Sequence, residues 1–366
     1  MAQQDFAVAA AAMTSAWIVA VDSAGEVRWF DRDLRPVGTS VVEGGSPDQL
    51  VAHGAGGGVC LRTLTGLKCA AGPGSKFTDE LDVAGAVGRY ALCPDGSAAL
   101  AADDVLHLVV DGQKYLLPAP MGEMPAGIGP VIHRPSGAVA VPIDGGTAVR
   151  LLLPHGNSYD LTTLREFTVA EAELPGGVLG LALARDELYV AARGGRLHAI
   201  RIDAVPESTD LNWSTEAMAT AWLAGPVVTV SREVLVVDEN HDLLRIDQVH
   251  KGVAKVWACP GLLAELHVVP GDGVSGLRGN GAASLAALAP ARFFPWLPAG
   301  DLYVTADYSL PDCQEARTLD LGGDDGRALV ACTSGLRLVV PPAPADAEAP
   351  WPTTHGSGGS GCFQGE

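Results

Sequence analysis

Residues 178–203, VLGLALARDELYVAARGGRLHAIRID, consist of three short apolar runs separated by two polar turns. Leu179–Leu183 runs into Arg185–Glu187, Leu188–Ala192 follows, and beyond Gly194–Gly195 the chain returns through Arg196–Ile202. Runs of this length rich in Leu, Val and Tyr, bounded by turn residues, read as antiparallel strands joined in hairpins. A unit this small is marginal alone, so it needs others like it to pack against. That need constrains the fold more than any other feature, because the same grammar recurs along the chain.

It recurs at 6–31, 50–72, 89–112, 129–154, 225–247 and 291–321, and a truncated echo, GRALVACTSGLRLVV, closes the series at 326–340. Most steps between units match the ~40–50 residues of one four-stranded propeller blade. The longest step, from 225 to 291, carries an insertion. Helical periodicity with caps is nearly absent, and Ser284–Leu288 alone reads as a short helical turn. The expected fold is all-β: a single β-propeller of four-stranded antiparallel blades over residues 5–340. The count favours seven blades, and six or eight also fit because the last repeat is ambiguous. Ring closure removes exposed sheet edges, so the echo at 326–340 is expected to form the outer edge of a blade begun at the N-terminus.

With 366 residues, 48% of them hydrophobic, the chain can bury a large core. Its 45 Gly and 25 Pro indicate many turns without reaching the range of disorder. The net charge of −19 repels phosphate backbones and anionic lipid, which argues against nucleic-acid and membrane partners. No apolar run reaches the ~18 residues that span a bilayer. The N-terminal stretch has no basic residue before its apolar part, and Asp5 stands where an export signal wants positive charge. Phe6–Ala12 and Trp17–Val21 therefore read as the first two strands, and the protein is expected to be a cytoplasmic monomer. Residues 341–366, Pro/Ala-rich and then Gly/Ser-rich with a linker-like GSGGSG, read as a disordered tail that an engineered linker would resemble. Cys362 and Phe363 near its end raise the alternative of a recognition or modification peptide.

The seven cysteines (60, 69, 93, 259, 313, 332 and 362) lack C-x-x-C spacing, so they fit neither a zinc site nor a disulfide framework. Cys60 and Cys69 are symmetric about Leu64–Thr65 and would face each other across a hairpin. In a cytoplasmic protein they are expected as two reduced thiols.

The stretch PGDGVSGLRGNGAASLAALAP, 270–290, contains a G-x-G-x-x-G. A dinucleotide loop needs a strand before it, a helix opening from it and an acidic residue about 20 positions on. Here an Ala-rich turn and then strands are expected, and no Lys-Ser/Thr follows, so neither that loop nor a P-loop is indicated. Gly271, Gly273, Gly276, Gly279, Asn280 and Gly281, then Ala283, Ala286, Leu288 and Pro290, then Gly300–Val304 with Ala306–Asp307, together resemble one NHL repeat. The resemblance covers about 40 residues and implies a propeller whose glycines make a loop. It departs from that pattern after Asp307. No cofactor is expected.

DENHDLLRIDQV at 238–249 mimics the start of an EF-hand loop through Asp238, Asn240 and Asp242, but Leu243 and Val249 replace the Gly and Glu that calcium binding requires. A polar turn is the expectation. His107 and His198, on equivalent third strands, read as half-exposed strand residues, and His133, next to Arg134 at a strand end, as a residue that lines a face of the disc. No G-x-S-x-G or Cys–His pattern for nucleophilic chemistry is present.

The sequence thus favours a non-enzymatic propeller that binds a protein or peptide across one face, as part of a bacterial complex; Ala, Gly and Val usage fits a GC-rich genome. The loops around Asp144, Arg193, Asn240–His241 and Tyr308–Asp312 are its candidate surface. The alternative, implied by the NHL resemblance, is a metal-dependent hydrolase or lyase with carboxylates or His converging on the central channel.

Overall fold

The computed structural model describes residues 2–340, apart from 44–48, 54–56, 64–65, 84–85, 94, 103, 119–127, 156–157, 161–164, 203–212, 215–219, 230, 248–251, 259–261, 270–272, 281, 291–301, 311–312, 314–315, 321–326 and 333, together with 361–363. These residues form eight sheets, each built on four antiparallel strands, with no α-helix among them and two 3-10 turns. The fold is the expected all-β propeller. Numbering blades in chain order, their first strands are Ala10–Met13, Leu50–His53, Ala86–Leu92, Val131–His133, Val178–Leu183, Trp222–Val228, Leu262–Val269 and Ala316–Asp320.

First strands touch one another around the ring: those of blades 1 and 2, 3 and 4, 4 and 5, 5 and 6, 6 and 7, and 8 and 1 are in contact. They are therefore the inner strands, lining the axis, and each blade adds its later strands outward. Because the strands alternate in direction, turns between strands two and three share one face with the connections to the next blade. Turns between strands one and two lie on the opposite face.

The core is the set of layers between neighbouring sheets. Tyr189, Val190 and Ala191 of blade 5 are fully buried among Val149 and Leu151 of blade 4 and Val234 and Val236 of blade 6. The inner strands Ala10–Met13 and Val131–His133 are buried on both faces, which is why they read as continuous apolar runs rather than alternating ones. Burying one Val or Leu in such a layer contributes about 1.5–3 kcal/mol.

Eight sheets is the upper of the counts left open by the repeat spacing, and the difference lies in 262–309. The Gly- and Ala-rich stretch is not a loop with a helical turn. Gly273–Asn280 and Ala282–Pro290 are the second and third strands of blade 7, paired from Val274↔Leu288 to Asn280↔Ala282. Ser284–Leu288 lies inside that third strand. Small residues without β-propensity can still form a ladder when strands on either side fix their register.

Closure also differs from expectation. The echo supplies the second and third strands of blade 8, Ala328–Cys332 and Gly335–Val339, and the N-terminal strand Ala2–Asp5 adds the outer edge. The fully buried Arg337 pairs with Asp5 at 3.1 Å and donates to the Gln4 carbonyl, fastening that edge. Gly335, at φ 147, is needed here because a Cβ would overlap the Gln4 carbonyl.

The expectation of reduced thiols is corrected. Cys60 and Cys69 are directly opposite in blade 2, as the hairpin symmetry required, but form a disulfide with Cα atoms 4.1 Å apart. Cys93–Cys362 and Cys313–Cys332 are also bonded. Two cysteines directly opposite across an antiparallel pair stand close enough for their sulfurs to meet. Of the tail, 341–360 and 364–366 lie outside the described residues, whereas Cys362–Phe363 pairs with blade 4 as a fifth strand.

Candidate binding site on one face of the disc

Asp144 opens the turn between strands two and three of blade 4, Arg193 lies in the equivalent turn of blade 5, and Asn240–His241 in that of blade 6. Three of the expected loops therefore stand on consecutive blades at one face. Tyr308 instead falls in the fourth strand of blade 7, Leu302–Ser309, and Asp312 lies outside the described residues.

Backbone bonds tie the turns of blades 5 and 6 to the connections beside them. The connection into blade 5 is gripped by the Arg193 amide, which donates to the Gly177 carbonyl at 2.9 Å, and by the Gly194 amide, which donates to Pro175 at 2.7 Å. The Trp222 amide donates to the Arg193 carbonyl at 2.7 Å, and Glu239 donates to Ala221 at 2.8 Å. The inner strand entering blade 6 is thus held between the turns of blades 5 and 6.

Between blades 4 and 5 this arrangement leaves a cavity of 570 Å³, within the range of small-molecule and side-chain sites. Its walls are the turn Gly145–Thr147 and the connection Leu174–Val178, with Glu171 and Arg193 as its charged lining residues. Three glycine doublets meet here. A Cβ on Gly177 would stand 3.0 Å from the Gly146 carbonyl, and one on Gly194 would stand 2.8 Å from Pro175. Gly145, Gly146, Gly176 and Gly177 all have φ between 69° and 79°, a conformation side chains rarely adopt. The lining is largely backbone, which presents polar groups without filling the space.

The wall at Glu171–Glu173 is anchored from below. Arg196 pairs with the Glu173 carboxylate at 2.9 Å, and His198 Nε2 bonds the Glu173 carbonyl at 2.6 Å. His198 is completely buried rather than half-exposed, because its third strand faces the neighbouring blade, and this burial lowers its pKa. His107, by contrast, is half-buried as the alternation predicted. Arg193 is partly exposed and has no ion-pair partner among the described residues.

The EF-hand mimic is a turn. Asp238 Oδ1 accepts from the amides of Asn240 and Asp242, both at 2.9 Å, so the carboxylate serves the backbone. Asp22 of blade 1 does the same for Ala24 and Glu26, and Gly25 there occupies the left-handed position that His241 takes at φ 60. Among the described residues no group of three or more His, Cys, Asp or Glu side chains is placed to hold a metal ion.

Sequence reading missed the pocket walls Gly145–Thr147 and Glu171–Val178, and the anchoring role of His198. A signal existed: the doublets at 145–146, 176–177 and 194–195 fall at turns of successive strands, and only their convergence was invisible.

The chain resembles solved propeller structures. It aligns with the C-terminal WD40 domain of Sif2 at 10% identity, TM-score 0.66, covering 93% of this chain and 99% of that one. A computationally designed protein, Ika8, aligns at 13% identity and TM-score 0.60, covering 93% and 98%. Kluyveromyces lactis Hsv2 aligns at 10% identity and TM-score 0.56, covering 81% and 96%. At these identities the likeness is one of fold. No protein family's sequence profile matches the chain, and a search of curated proteins returned no match. Among the described residues no helix is long and apolar enough to cross a membrane.

Proposed function

We propose that this propeller is a scaffold that binds a protein or peptide on the face carrying Asp144, Arg193, Asn240 and His241, with the pocket between blades 4 and 5 as its anchor point. The observation that carries the reading is a cation, Arg193, with no ion-pair partner among the described residues, beside a glycine-walled pocket in a chain of net charge −19. Leu174 and Val178 supply apolar lining, the glycine turns supply backbone polar groups, and Arg193 favours a carboxylate. An extended acidic segment with one apolar side chain fits this combination. The NHL resemblance of 271–307 is retained as a reading of blade 7 alone. Three disulfides support an oxidising compartment rather than the cytoplasm.

Immobilised protein should recover the same partner with wild type and with Lys114→Ala, which alters an exposed outer strand of blade 3. Recovery should fall at least tenfold with Arg193→Ala combined with His241→Ala. Equal recovery by all three proteins sinks the proposal.

A further inference from the structure

The short strand Cys362–Phe363 runs parallel to the inner strand Val131–His133 of blade 4, on the side away from the rest of the sheet. Since that strand lines the axis, the added residues sit inside the central channel. They lie toward the face opposite the pocket, because Cys93 and His133 each end an inner strand that leads into a strand-one-to-two turn. The amides of Ile132 and Arg134 donate to the carbonyls of Gly361 and Phe363, both at 2.9 Å. The Phe363 ring stacks on His133 with centroids 4.9 Å apart and planes 4° from parallel. Cys362 is bonded to Cys93, and both are buried.

The three disulfides differ in what they hold. Cys60–Cys69 spans 9 residues of one hairpin, and Cys313–Cys332 spans 19 residues at blade 8. Strand ladders keep the hairpin in place whether or not its bond is present. Cys93–Cys362 spans 269 residues and tethers a segment whose described residues add two backbone bonds, one ring stack and the buried side chains of Cys362 and Phe363. Without the tether, ordering Gly361–Phe363 in the channel rests on those bonds and the burial of two side chains, set against the conformational freedom of the segment.

We propose that the C-terminal segment is a redox-held plug. With Cys93–Cys362 intact, Gly361–Phe363 cover the inner edge of blade 4; reduction of this bond releases the segment and bares that edge. The reductant is a dithiol. Its thiolate attacks one sulfur as the short strand frays, freeing one cysteine as a thiol and forming a mixed disulfide. The second thiol of the reductant then displaces the other cysteine. The products are two protein thiols and the oxidised reductant, with two electrons and two protons transferred. The released edge presents the Ile132 and Arg134 amides to the channel, a geometry that accepts an extended peptide strand.

The test uses full-length protein purified without reductant. Mass spectrometry of unreduced digests should find the Cys93–Cys362 linked peptide. Amide hydrogen exchange at Ile132 and Arg134 should then speed up at least tenfold after dithiothreitol treatment, and equally in Cys362→Ser. Cys60→Ser with Cys69→Ser should leave that exchange unchanged. Free thiols at 93 and 362 in oxidised protein would overturn the proposal. So would unchanged exchange after confirmed cleavage of this bond. Should Cys362→Ser fail to fold, reduction of folded wild-type protein gives the same reading.

Discussion

Blade 4 meets blade 3 and blade 5 through apolar layers of the same kind, yet its two sides are finished differently. Toward blade 3 an extra strand fills its inner edge and a disulfide ties that strand to Cys93. Toward blade 5 three glycine doublets hold the backbones close while leaving 570 Å³ open at the other face. The first junction is closed by covalent chemistry and a borrowed segment, the second by the absence of side chains. Neither device is part of the repeat that builds the blades, which shows how a uniform scaffold acquires local differences.

The largest effect should come from breaking the closed side. Replacing both Cys93 and Cys362 by Ser should destabilise the protein by about 3–5 kcal/mol, since the bond closes a long loop. Denaturant unfolding under oxidising conditions measures this, and each single replacement should cost nearly as much as the pair. On the open side, Gly194→Ala pushes a methyl into Pro175 and should cost about 1–3 kcal/mol. A melting temperature within a degree of wild type would show that this contact yields freely.

Acid should affect both sides through buried histidines. His133 Nδ1 lies 2.7 Å from the Ser136 hydroxyl and accepts from the Ser136 amide, so Nε2 carries the proton toward Arg185 O, 3.0 Å away. Burial lowers the pKa of both His133 and His198 below its ordinary value. The unfolded chain therefore binds protons first: stability is complete above about pH 6.5 and declines as pH falls toward the folded values. His133→Gln and His198→Gln, each compared with wild type at pH 7.5 and pH 5.5, should flatten that decline. An unaltered pH slope in both variants counts against the assignment.

The smallest effect concerns strain on the binding face. His241→Gly places glycine where blade 1 already has Gly25, relieving the left-handed position, and should stabilise by up to about 1 kcal/mol. Lost stability would mean that the imidazole makes a contact that outweighs the strain.

Much of this molecule was legible locally. Asp238 and its neighbours read as a turn because their spacing lacks what calcium needs, and the structure shows Asp238 bonding the turn amides. Cys60 and Cys69 could be paired from hairpin symmetry because antiparallel register is a local quantity. Cys93 and Cys362 could not, since their meeting depends on where the ring places blade 3 against the end of the chain. Blade 7 was misread because Gly and Ala carry little strand signal when neighbouring strands, rather than their own side chains, define the ladder.

Alternation, turn residues and repeat spacing by themselves determined that this chain is a ring of small antiparallel sheets, because those properties act over a few residues. Only the tertiary structure decided the rest. It set which glycine doublets meet, which side of blade 4 is sealed, and that His198 is buried while His107 is half-exposed. Those outcomes depend on contacts between residues from separate blades, and a contact of that kind leaves no periodicity in the chain for the eye to find.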